Sequence, residues 1–297
     1  MSPRVSFEQF WKEKQRRVET SLEELIPSAA TEPCKLHESV RYSLFADAKR
    51  IRPVFALAVA SMFRVNEDEM LDAACTLEMV HTCSLILDDL PSMDGATLRR
   101  GKSANHLVFG EDTAILAAMY LLNRAYGILA DYKKALFSPI LAAQFVSVLS
   151  RALSSDGVIG GQLVDLASKE KTIDLATLEF IHSRKTGALF LASAEMGASF
   201  AKARDMERHA VLNFAKNLGL AFQITDDILD ATGDSGTIGK DTGKDTGKTT
   251  FITFCGLEGA RSLANELIDT AEESIRPLRS RGELLYSFAE FIRHRTH

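Results

Sequence analysis

Two clusters of aspartate residues are the part of this sequence best suited to chemistry. The first is Asp88-Asp89-Leu90-Pro91-Ser92-Met93-Asp94, and the second is Gln223-Ile224-Thr225-Asp226-Asp227-Ile228-Leu229-Asp230. Each cluster places three carboxylates in a mostly apolar context, which is costly unless cations neutralise them. Because every ligand is an oxygen atom, Mg²⁺, Mn²⁺ or Ca²⁺ is favoured over zinc. We predict that the clusters bind Mg²⁺, which in turn binds a diphosphate.

The spacing of the acidic residues predicts how helices present them. In the second cluster an amide and three carboxylates follow the i, i+3, i+4, i+7 rule and share one helix face: Gln223, Asp226, Asp227 and Asp230. In the first cluster the helix is expected to end at Pro91, since the residue before a proline avoids the α region. Asp94 can then fold back beside the helix end. We expect the two clusters to face each other.

Four basic residues are candidates for phosphate binding, because each stands at a predicted helix start or in a loop: Lys49, Arg52, Arg99 and Arg100. Such cations donate fork-like hydrogen bonds to phosphate oxygens. Solvated surface charge is the better explanation for any one of them alone. The functional interpretation is favoured for the Arg99-Arg100 doublet, which precedes Gly101 and lies five residues after Asp94.

Three further features could belong to the same site. His81 precedes Asp88 by two helical turns and so points to the same side, although a lone histidine on an apolar helix is usually a core residue. Lys185-Thr186-Gly187 interrupts a helical pattern, which indicates either a kink or close helix packing on a small residue. Residues 233–248 are rich in glycine and carry lysines at 240, 244 and 248, so they are either a flexible linker or a lid over phosphate.

The composition excludes some classes of protein. A net charge of −5 and a pI near 5.9 argue against general nucleic-acid binding, which requires a basic surface. The four cysteines have no metal-binding spacing, which indicates a reducing compartment. No signal peptide is recognised at the N-terminus, and no apolar run reaches the ~18 residues of a membrane span. We therefore expect a cytoplasmic protein with no integral membrane segment.

The hydrophobic periodicity is helical throughout, and strand signals are nearly absent. The fold class predicted is all-α, a single large antiparallel helical bundle formed by one domain over residues 1–297. The predicted helices cover residues 6–26, 36–46, 54–63, 67–89, 111–132, 139–153, 174–201 with a break at 185–187, 204–230, 257–276 and 281–294.

Taken together, these motifs resemble the trans-isoprenyl diphosphate synthases, namely the short-chain farnesyl and geranylgeranyl diphosphate synthases. The resemblance runs from the region of Lys49 to the C-terminus. It rests on the first aspartate motif with Arg99-Arg100-Gly101 and on the segment from Gly219 through Asp230. The stretch Glu78-Met79-Val80-His81-Thr82 resembles most closely the geranylgeranyl branch. The resemblance implies an isoprenoid-synthase fold, with the bundle built around a deep central cavity.

The resemblance also implies a role for each candidate residue. It implies metal ligands at Asp88, Asp94 and Asp226, supported by Asp89, Asp227 and Asp230. It implies that isopentenyl diphosphate is held by Lys49, Arg52, His81 and Arg100. It implies that the allylic diphosphate is bound by Arg99, Lys185 and Lys240. Thr186 and Gln223 would line the place where the allylic cation forms, with a contribution from Lys248, and the catalytic set is Lys185, Thr186 and Gln223.

The implied reaction is a head-to-tail condensation of isopentenyl diphosphate with dimethylallyl, geranyl or farnesyl diphosphate. Ionisation of the allylic substrate is followed by condensation and loss of a proton, which the released diphosphate is expected to accept. The implied cofactor is Mg²⁺, with three ions bound beside the diphosphate and Mn²⁺ as a substitute. The implied quaternary state is a homodimer.

In this family, side chains below the first aspartate motif set the product length. Cys83 precedes Asp88 by five residues, which is about 7 Å along a helix, and Ser84 precedes it by four. A cysteine, where farnesyl-making bacterial relatives tend to carry an aromatic ring, leaves space for one more isoprene unit. Geranylgeranyl diphosphate is therefore favoured over farnesyl diphosphate.

Three other functions compete with this interpretation. A non-catalytic subunit of a heteromeric prenyl synthase is disfavoured because both aspartate clusters are intact. A Mg²⁺-dependent terpene cyclase should lack the basic set predicted to hold isopentenyl diphosphate. A metal phosphohydrolase would need a base that activates water, and the sequence offers none that is obvious.

Overall fold

The computed structural model describes residues 6–131, 138–169, 171–232 and 249–295. Within these ranges the chain is almost wholly helical, which confirms the all-α prediction. The predicted phosphate ligands Lys240 and Lys248, and the glycine-rich segment around them, lie outside the described residues. The described helices are α1 (Phe7–Leu25), α2 (Cys34–Leu44), α3 (Ile51–Ser61), α4 (Leu71–Asp88), α5 (Asn105–Phe109), α6 (Glu111–Ala130), α7 (Pro139–Leu153), α8 (Val158–Ala167), α9 (Leu175–Lys185), α10 (Gly187–Phe200), α11 (Asp205–Thr232), α12 (Phe251–Ile275) and α13 (Glu283–His294).

Side-chain caps fix where several helices begin. Ser6 accepts a hydrogen bond from the backbone of Gln9, and the Gln9 side chain accepts one from the backbone of Ser6, so α1 starts with a capping box. Thr250 and Thr253 form the same reciprocal arrangement at the start of α12. Helix α12 therefore begins six residues earlier than the periodicity predicts. Gly256, with φ 73°, interrupts it, which explains why the regular pattern is recognised only after that residue.

The predicted break at residues 185–187 is confirmed: α9 ends at Lys185 and α10 begins at Gly187. The explanation by close helix packing on a small residue is supported by the glycines at this point. A Cβ atom placed on Gly219 of α11 would lie 3.1 Å from the Cα atom of Gly187 and 3.2 Å from the Cβ atom of Phe190. The absence of a side chain at Gly219 therefore lets α11 approach α10 closely at Gly187, just after the break.

A short antiparallel hairpin follows the first aspartate motif and was not predicted. It pairs Leu98–Arg99 with Lys102–Ser103. Its two turn residues, Arg100 and Gly101, have φ values of 52° and 73°. Positive φ at both central residues is typical of the type I′ turn that suits two-residue hairpins. The hairpin leaves the fold class unchanged, but it fixes the directions of Arg99 and Arg100.

The described residues fall into two compact units, and the prediction of one domain over residues 1–297 stays a prediction. The first unit contains residues 6–57 and 67–146 and the second contains residues 58–66 and 147–295, each with the gaps given above. The core of the first unit includes α4, α6 and α1, which carry fully buried residues such as Leu77, Leu121 and Val18. The core of the second includes α10, α11 and α12, with Phe190, Phe214 and Ile268 buried.

Two helical segments are long and apolar enough to cross a membrane by length and composition alone, residues 67–88 and 111–130. In the first segment, 67% of the apolar window is buried inside the protein, as is expected of a core helix. In the second segment only 39% is buried. Helix α6 therefore presents apolar side chains outward.

Candidate functional site

In the first unit, the end of α4 carries the first aspartate motif. Asp88 is the last residue of α4, and Asp89 caps it. The backbone N–H of Asp94 donates to the carbonyl oxygen of Asp88 at 2.9 Å, and Gly95 takes a φ of 59° where the turn closes. The segment after the helix therefore folds back as predicted, which brings Asp94 beside Asp88.

Asp89 is paired with Arg99 of the hairpin. The Arg99 Nε atom donates to Oδ1 and Oδ2 of Asp89 at 3.0 and 3.1 Å, and Nη2 also donates to Oδ1. Asp89 is only 2% exposed. Although burial lowers the pKa of Arg99, its bonds to Asp89 raise it above the usual value. The hairpin thus holds Arg99 against the motif through this two-pronged ion pair.

A second cation cluster in the same unit surrounds the buried Glu78 of α4. The Nη1 atom of Arg50 and the Nη2 atom of Arg100 both donate to Oε1 of Glu78, at 2.8 and 3.2 Å. Arg52, in the first turn of α3, is 8% exposed and feels the charges of both Glu78 and Arg100. Burial lowers the pKa of Arg52 to about 10. Arg52 and Arg100, two predicted phosphate ligands, therefore meet around one carboxylate.

His81 lies one helical turn after Glu78 and belongs to this cluster. Burial and the charges of Arg52 and Arg100 lower the pKa of His81 well below its usual value. The imidazole is therefore neutral at physiological pH and presents one donor and one acceptor. The structure thus brings three of the four residues predicted for isopentenyl diphosphate together. Lys49, the fourth, is half-buried and precedes Arg50 directly.

In the second unit, a chain of hydrogen bonds joins the helix break to the second aspartate motif. Thr186 Oγ1 donates to Oε1 of Gln223 at 2.7 Å, and Nε2 of Gln223 donates to Oδ1 of Asp227 at 3.0 Å. The close approach of α10 and α11 at their glycines makes the first bond possible. The two residues predicted to line the cation site are therefore in direct contact.

Lys185 is held by a residue to which the sequence assigns no role. Its Nζ atom lies 2.9 Å from Oδ2 of Asp165 on α8. A Cβ atom on Gly161 would lie 2.6 Å from the backbone nitrogen of Lys185, so only glycine allows α8 to approach the end of α9. The Gly160-Gly161-Gln162 pattern followed by Asp165 could have indicated this contact.

A cavity of about 140 Å³ within the second unit is lined by six polar side chains that matter here: Asp165, His182, Lys185, Gln223, Asp227 and Asp230. Four of them are predicted site residues. The cavity thus joins a lysine and an amide to several carboxylates, a lining suited to an anion that carries its own cations.

Asp226 points to a partner that the sequence does not reveal. Its Oδ1 atom is paired with Nη2 of Arg295, one residue beyond α13. The Arg295 guanidinium also lies 4.0 Å from the ring centroid of Phe222, and only 4% of its side chain is exposed. Burial lowers the pKa of Arg295 to about 10. No motif marks this arginine, because its partner precedes it by 69 positions.

Comparison with known proteins decides the family. The polyprenyl synthetase family model matches residues 33–280. The chain belongs to the polyprenyl synthetase family. It is 39% identical over 286 residues to a geranylgeranyl diphosphate synthase of Cyanophora paradoxa, covering 95% of this chain and 94% of that protein. The family resemblance predicted from the motifs is confirmed, within the short-chain trans-isoprenyl diphosphate synthases.

Two solved structures of this family share the fold over nearly the whole chain. A farnesyl/geranylfarnesyl diphosphate (FPP/GFPP) synthase from Zymomonas mobilis, solved without ligand, superposes with a TM-score of 0.87 at 33% identity, covering 96% of this chain and 98% of that one. A geranyltransferase from Helicobacter pylori, complexed with magnesium and isoprenyl diphosphate, has a TM-score of 0.85 at 29% identity, covering 98% and 97%.

The donor set of this polyprenyl synthetase fits Mg²⁺. Each motif offers the carboxylate oxygens of three aspartates, and Mg²⁺ typically binds one or two carboxylates together with substrate phosphates. Among the described residues no three acidic, histidine or cysteine side chains gather into a ready-made metal site.

The first motif lies in the first unit and the second motif in the second unit. Their predicted convergence stays a prediction. Cys83, a predicted determinant of product length, is 6% exposed on α4, and burial raises the pKa of its thiol to about 12. Ser84, the other, donates from Oγ to the carbonyl of His81 at 2.8 Å.

Proposed function

We propose that this protein is a trans-prenyltransferase that condenses isopentenyl diphosphate head-to-tail with an allylic diphosphate and releases geranylgeranyl diphosphate. Similarity to the Cyanophora paradoxa synthase supports this product. Farnesyl diphosphate is the alternative product, since the Zymomonas mobilis neighbour is named for farnesyl and geranylfarnesyl diphosphate.

The observation that carries the proposal is the cation cluster of the first unit. Arg52, His81 and Arg100 lie within electrostatic reach of one another around Glu78, and the neutral imidazole adds no charge to an already cationic patch. A patch of this kind suits the diphosphate of isopentenyl diphosphate. A terpene cyclase binds no isopentenyl diphosphate, so such a patch would have no function in that class of enzyme.

Residues of the second unit are proposed to bind the allylic diphosphate and the cation formed from it. Lys185, oriented by Asp165, binds phosphate oxygens, as does Arg99 of the first unit. Thr186 and Gln223 present oxygen atoms beside the carbon that becomes cationic when its bond to the diphosphate oxygen breaks. That carbon is attacked by the isopentenyl double bond, and the released diphosphate accepts the proton that is lost.

Asp88, Asp94 and Asp226, with support from Asp89, Asp227 and Asp230, would hold Mg²⁺, whose positive charge would neutralise the leaving diphosphate. We propose three ions, for which Mn²⁺ can substitute. In the structure Asp89 is paired with Arg99, and Asp226 is paired with Arg295. To bind Mg²⁺, each of these two carboxylates must either share its oxygens between the metal and the guanidinium or give up the ion pair.

We also propose that the protein is a cytoplasmic homodimer. Apolar side chains exposed on α5 and α6 support a second copy as the cover for this surface: Leu107, Val108, Leu116 and Met119. Large exposed apolar patches commonly mark protein interfaces.

A direct experiment tests the proposed reaction. Purified protein is incubated with labelled isopentenyl diphosphate, Mg²⁺, and dimethylallyl, geranyl or farnesyl diphosphate in turn, and the products are sized after dephosphorylation. The expected result is a C20 alcohol from all three allylic substrates and no product when EDTA replaces Mg²⁺. Cyclic hydrocarbons formed without incorporation of label would favour a terpene cyclase. No turnover with intact binding would favour a non-catalytic subunit.

A further inference from the structure

Among the described residues of the first unit, Glu78 is the most deeply buried acidic group for which the proposed reaction has no role. It is 2% exposed, in the middle of α4. Its Oε1 atom accepts hydrogen bonds from both Arg50 and Arg100. Although burial raises the pKa of Glu78, these guanidinium groups lower it below the usual value, so the carboxylate is charged. One carboxylate oxygen is therefore the point where two arginines meet.

Both of those arginines have an unusual backbone conformation. Arg50 has a φ of 51° and Arg100 has a φ of 52°, values in the left-handed region that residues other than glycine rarely adopt. Such conformations persist only where the surrounding structure holds them, and they cluster at functional sites. The two strained arginines come from separate segments, just before α3 and in the hairpin, and both end at Glu78.

The local charges leave a cationic surplus at one side of the cluster. Arg50 is also bound by Glu19, with Nε donating to Oε1 at 2.6 Å, and its side chain is only 1% exposed. Arg50 is thus matched inside the protein. Arg52 and Arg100 feel the same Glu78 charge but repel each other. A bound diphosphate would add negative charge beside Arg52 and Arg100.

We propose that Glu78 is a positioning residue: through its shared oxygen it holds Arg100, and through its charge it attracts Arg52, in the arrangement that receives the diphosphate of isopentenyl diphosphate. This inference rests on the proposed function. Glu78 does not touch the substrate, and its effect passes through the guanidinium groups.

The chain offers a matched control in Glu19. Glu19 also pairs with Arg50, but its side chain is 36% exposed and it makes no bond to Arg100 among the described contacts. E19Q therefore removes a carboxylate from the same network without releasing Arg100. E78D keeps the negative charge of Glu78, but its side chain is shorter by one methylene group, so the carboxylate lies farther from the two arginines.

The experiment measures KM for isopentenyl diphosphate and for the allylic substrate separately, at saturating Mg²⁺, in wild type, E78Q, E78D and E19Q. We expect E78Q and E78D to raise KM for isopentenyl diphosphate about tenfold or more, the effect typical of losing a hydrogen bond to a charged group. The allylic KM should change less than threefold in both, and E19Q should resemble wild type. Thermal unfolding of each variant shows whether it is folded.

Several results would overturn the inference. An unchanged or lower KM for isopentenyl diphosphate in E78Q would show that Glu78 only offsets positive charge. A wild-type KM for isopentenyl diphosphate in E78D would show that the negative charge of residue 78 is sufficient and that the exact position of its carboxylate does not matter. Equal losses for both substrates would point to a general structural role.

Failure of the proposed function would be seen separately, as a wild-type protein without turnover. In that case calorimetric titration with isopentenyl diphosphate alone, comparing wild type with E78D and E19Q, still decides whether Glu78 orders the anion site. Weaker binding in E78D but not in E19Q supports the inference, and equal binding in all three contradicts it.

Discussion

His81 shows how burial fixes the ionisation of a single side chain in this protein. The ring lies among Arg50, Arg52 and Arg100 without an acidic partner of its own in the described contacts. A proton there would be opposed both by burial and by these charges. In the folded protein, His81 therefore stays neutral at a pH at which the same side chain in the unfolded chain, with a pKa near 6.5, binds a proton.

This difference predicts a loss of stability in mild acid. Because the folded pKa is depressed, stability is complete above pH 6.5 and falls as the pH drops below that value. Protonation of His81 alone should lower the free energy of unfolding by about 1 kcal/mol when the pH falls from 7.5 to 5.5. We expect H81Q to lose correspondingly less free energy of unfolding over that range in urea titrations. Identical pH slopes for H81Q and wild type would contradict the assignment.

Cys83 carries a prediction about product length at the same scale. It is buried on α4, five residues before Asp88, where a larger side chain would take space from a growing prenyl chain. We expect C83Y to shift the main product from C20 to C15, while C83S, which preserves the volume, keeps the wild-type product. Chromatography of the dephosphorylated products is the measurement. A C20 product from C83Y would remove this residue from chain-length control.

The hairpin between Leu98 and Ser103 is the element that orients the arginine doublet. Its turn makes consecutive side chains diverge, so that Arg99 reaches Asp89 while Arg100 reaches Glu78. Gly101 contributes by adopting a φ of 73° that other residues resist. Gly101 therefore serves the diphosphate site through backbone geometry rather than through a side chain.

A substitution at Gly101 tests this role. G101A should destabilise the protein by about 1 kcal/mol, the usual cost of the left-handed region, and should raise KM for both substrates because both arginines are displaced. G127A is the control, since Gly127 is helical in α6 with open space around its Cα and should gain about 0.5–1 kcal/mol. Urea unfolding and steady-state kinetics measure the two effects. Wild-type kinetics in a destabilised G101A would separate the hairpin from substrate binding.

Helices were predictable from the sequence because their apolar period is strong, and so was the turn that returns Asp94 to Asp88. The hairpin was not, because arginine rarely occupies the first position of a type I′ turn. Two sets of ion pairs were also not predictable: those of Glu78 with Arg50 and Arg100, and that of Arg295 with Asp226. Each joins residues far apart in the chain, and periodicity carries no information about such partners.

At the scale of the whole molecule, the exposed apolar surface on α5 and α6 requires a cover. Leu116 and Met119 are 58% and 60% exposed on α6, and Leu107 is 56% exposed on α5. These positions lie within 13 consecutive residues of the sequence. On a surface helix of a monomeric protein, the side chains that face the solvent are mostly polar. A second copy of the chain is the cover that we propose.

The prediction is a change of oligomeric state. M119E should convert the dimer to a species of 32.7 kDa in light scattering, because a buried charge without a partner opposes association. M206E is the matched control, since Met206 is 63% exposed on α11 and should leave the mass unchanged. A wild-type protein that already scatters as a monomer, or a dimeric M119E, would contradict this interface.

The position of Arg295 has a practical consequence for producing the enzyme. Its guanidinium lies against a carboxylate of the second aspartate motif and over the ring of Phe222, one residue beyond α13. A shortened version of the chain that stops within α13 would remove this contact and take from Asp226 its arginine partner. Kinetic work on shortened versions of the enzyme should therefore retain Arg295, and rates from versions that lack it should be compared with those of the 297-residue sequence before they are interpreted.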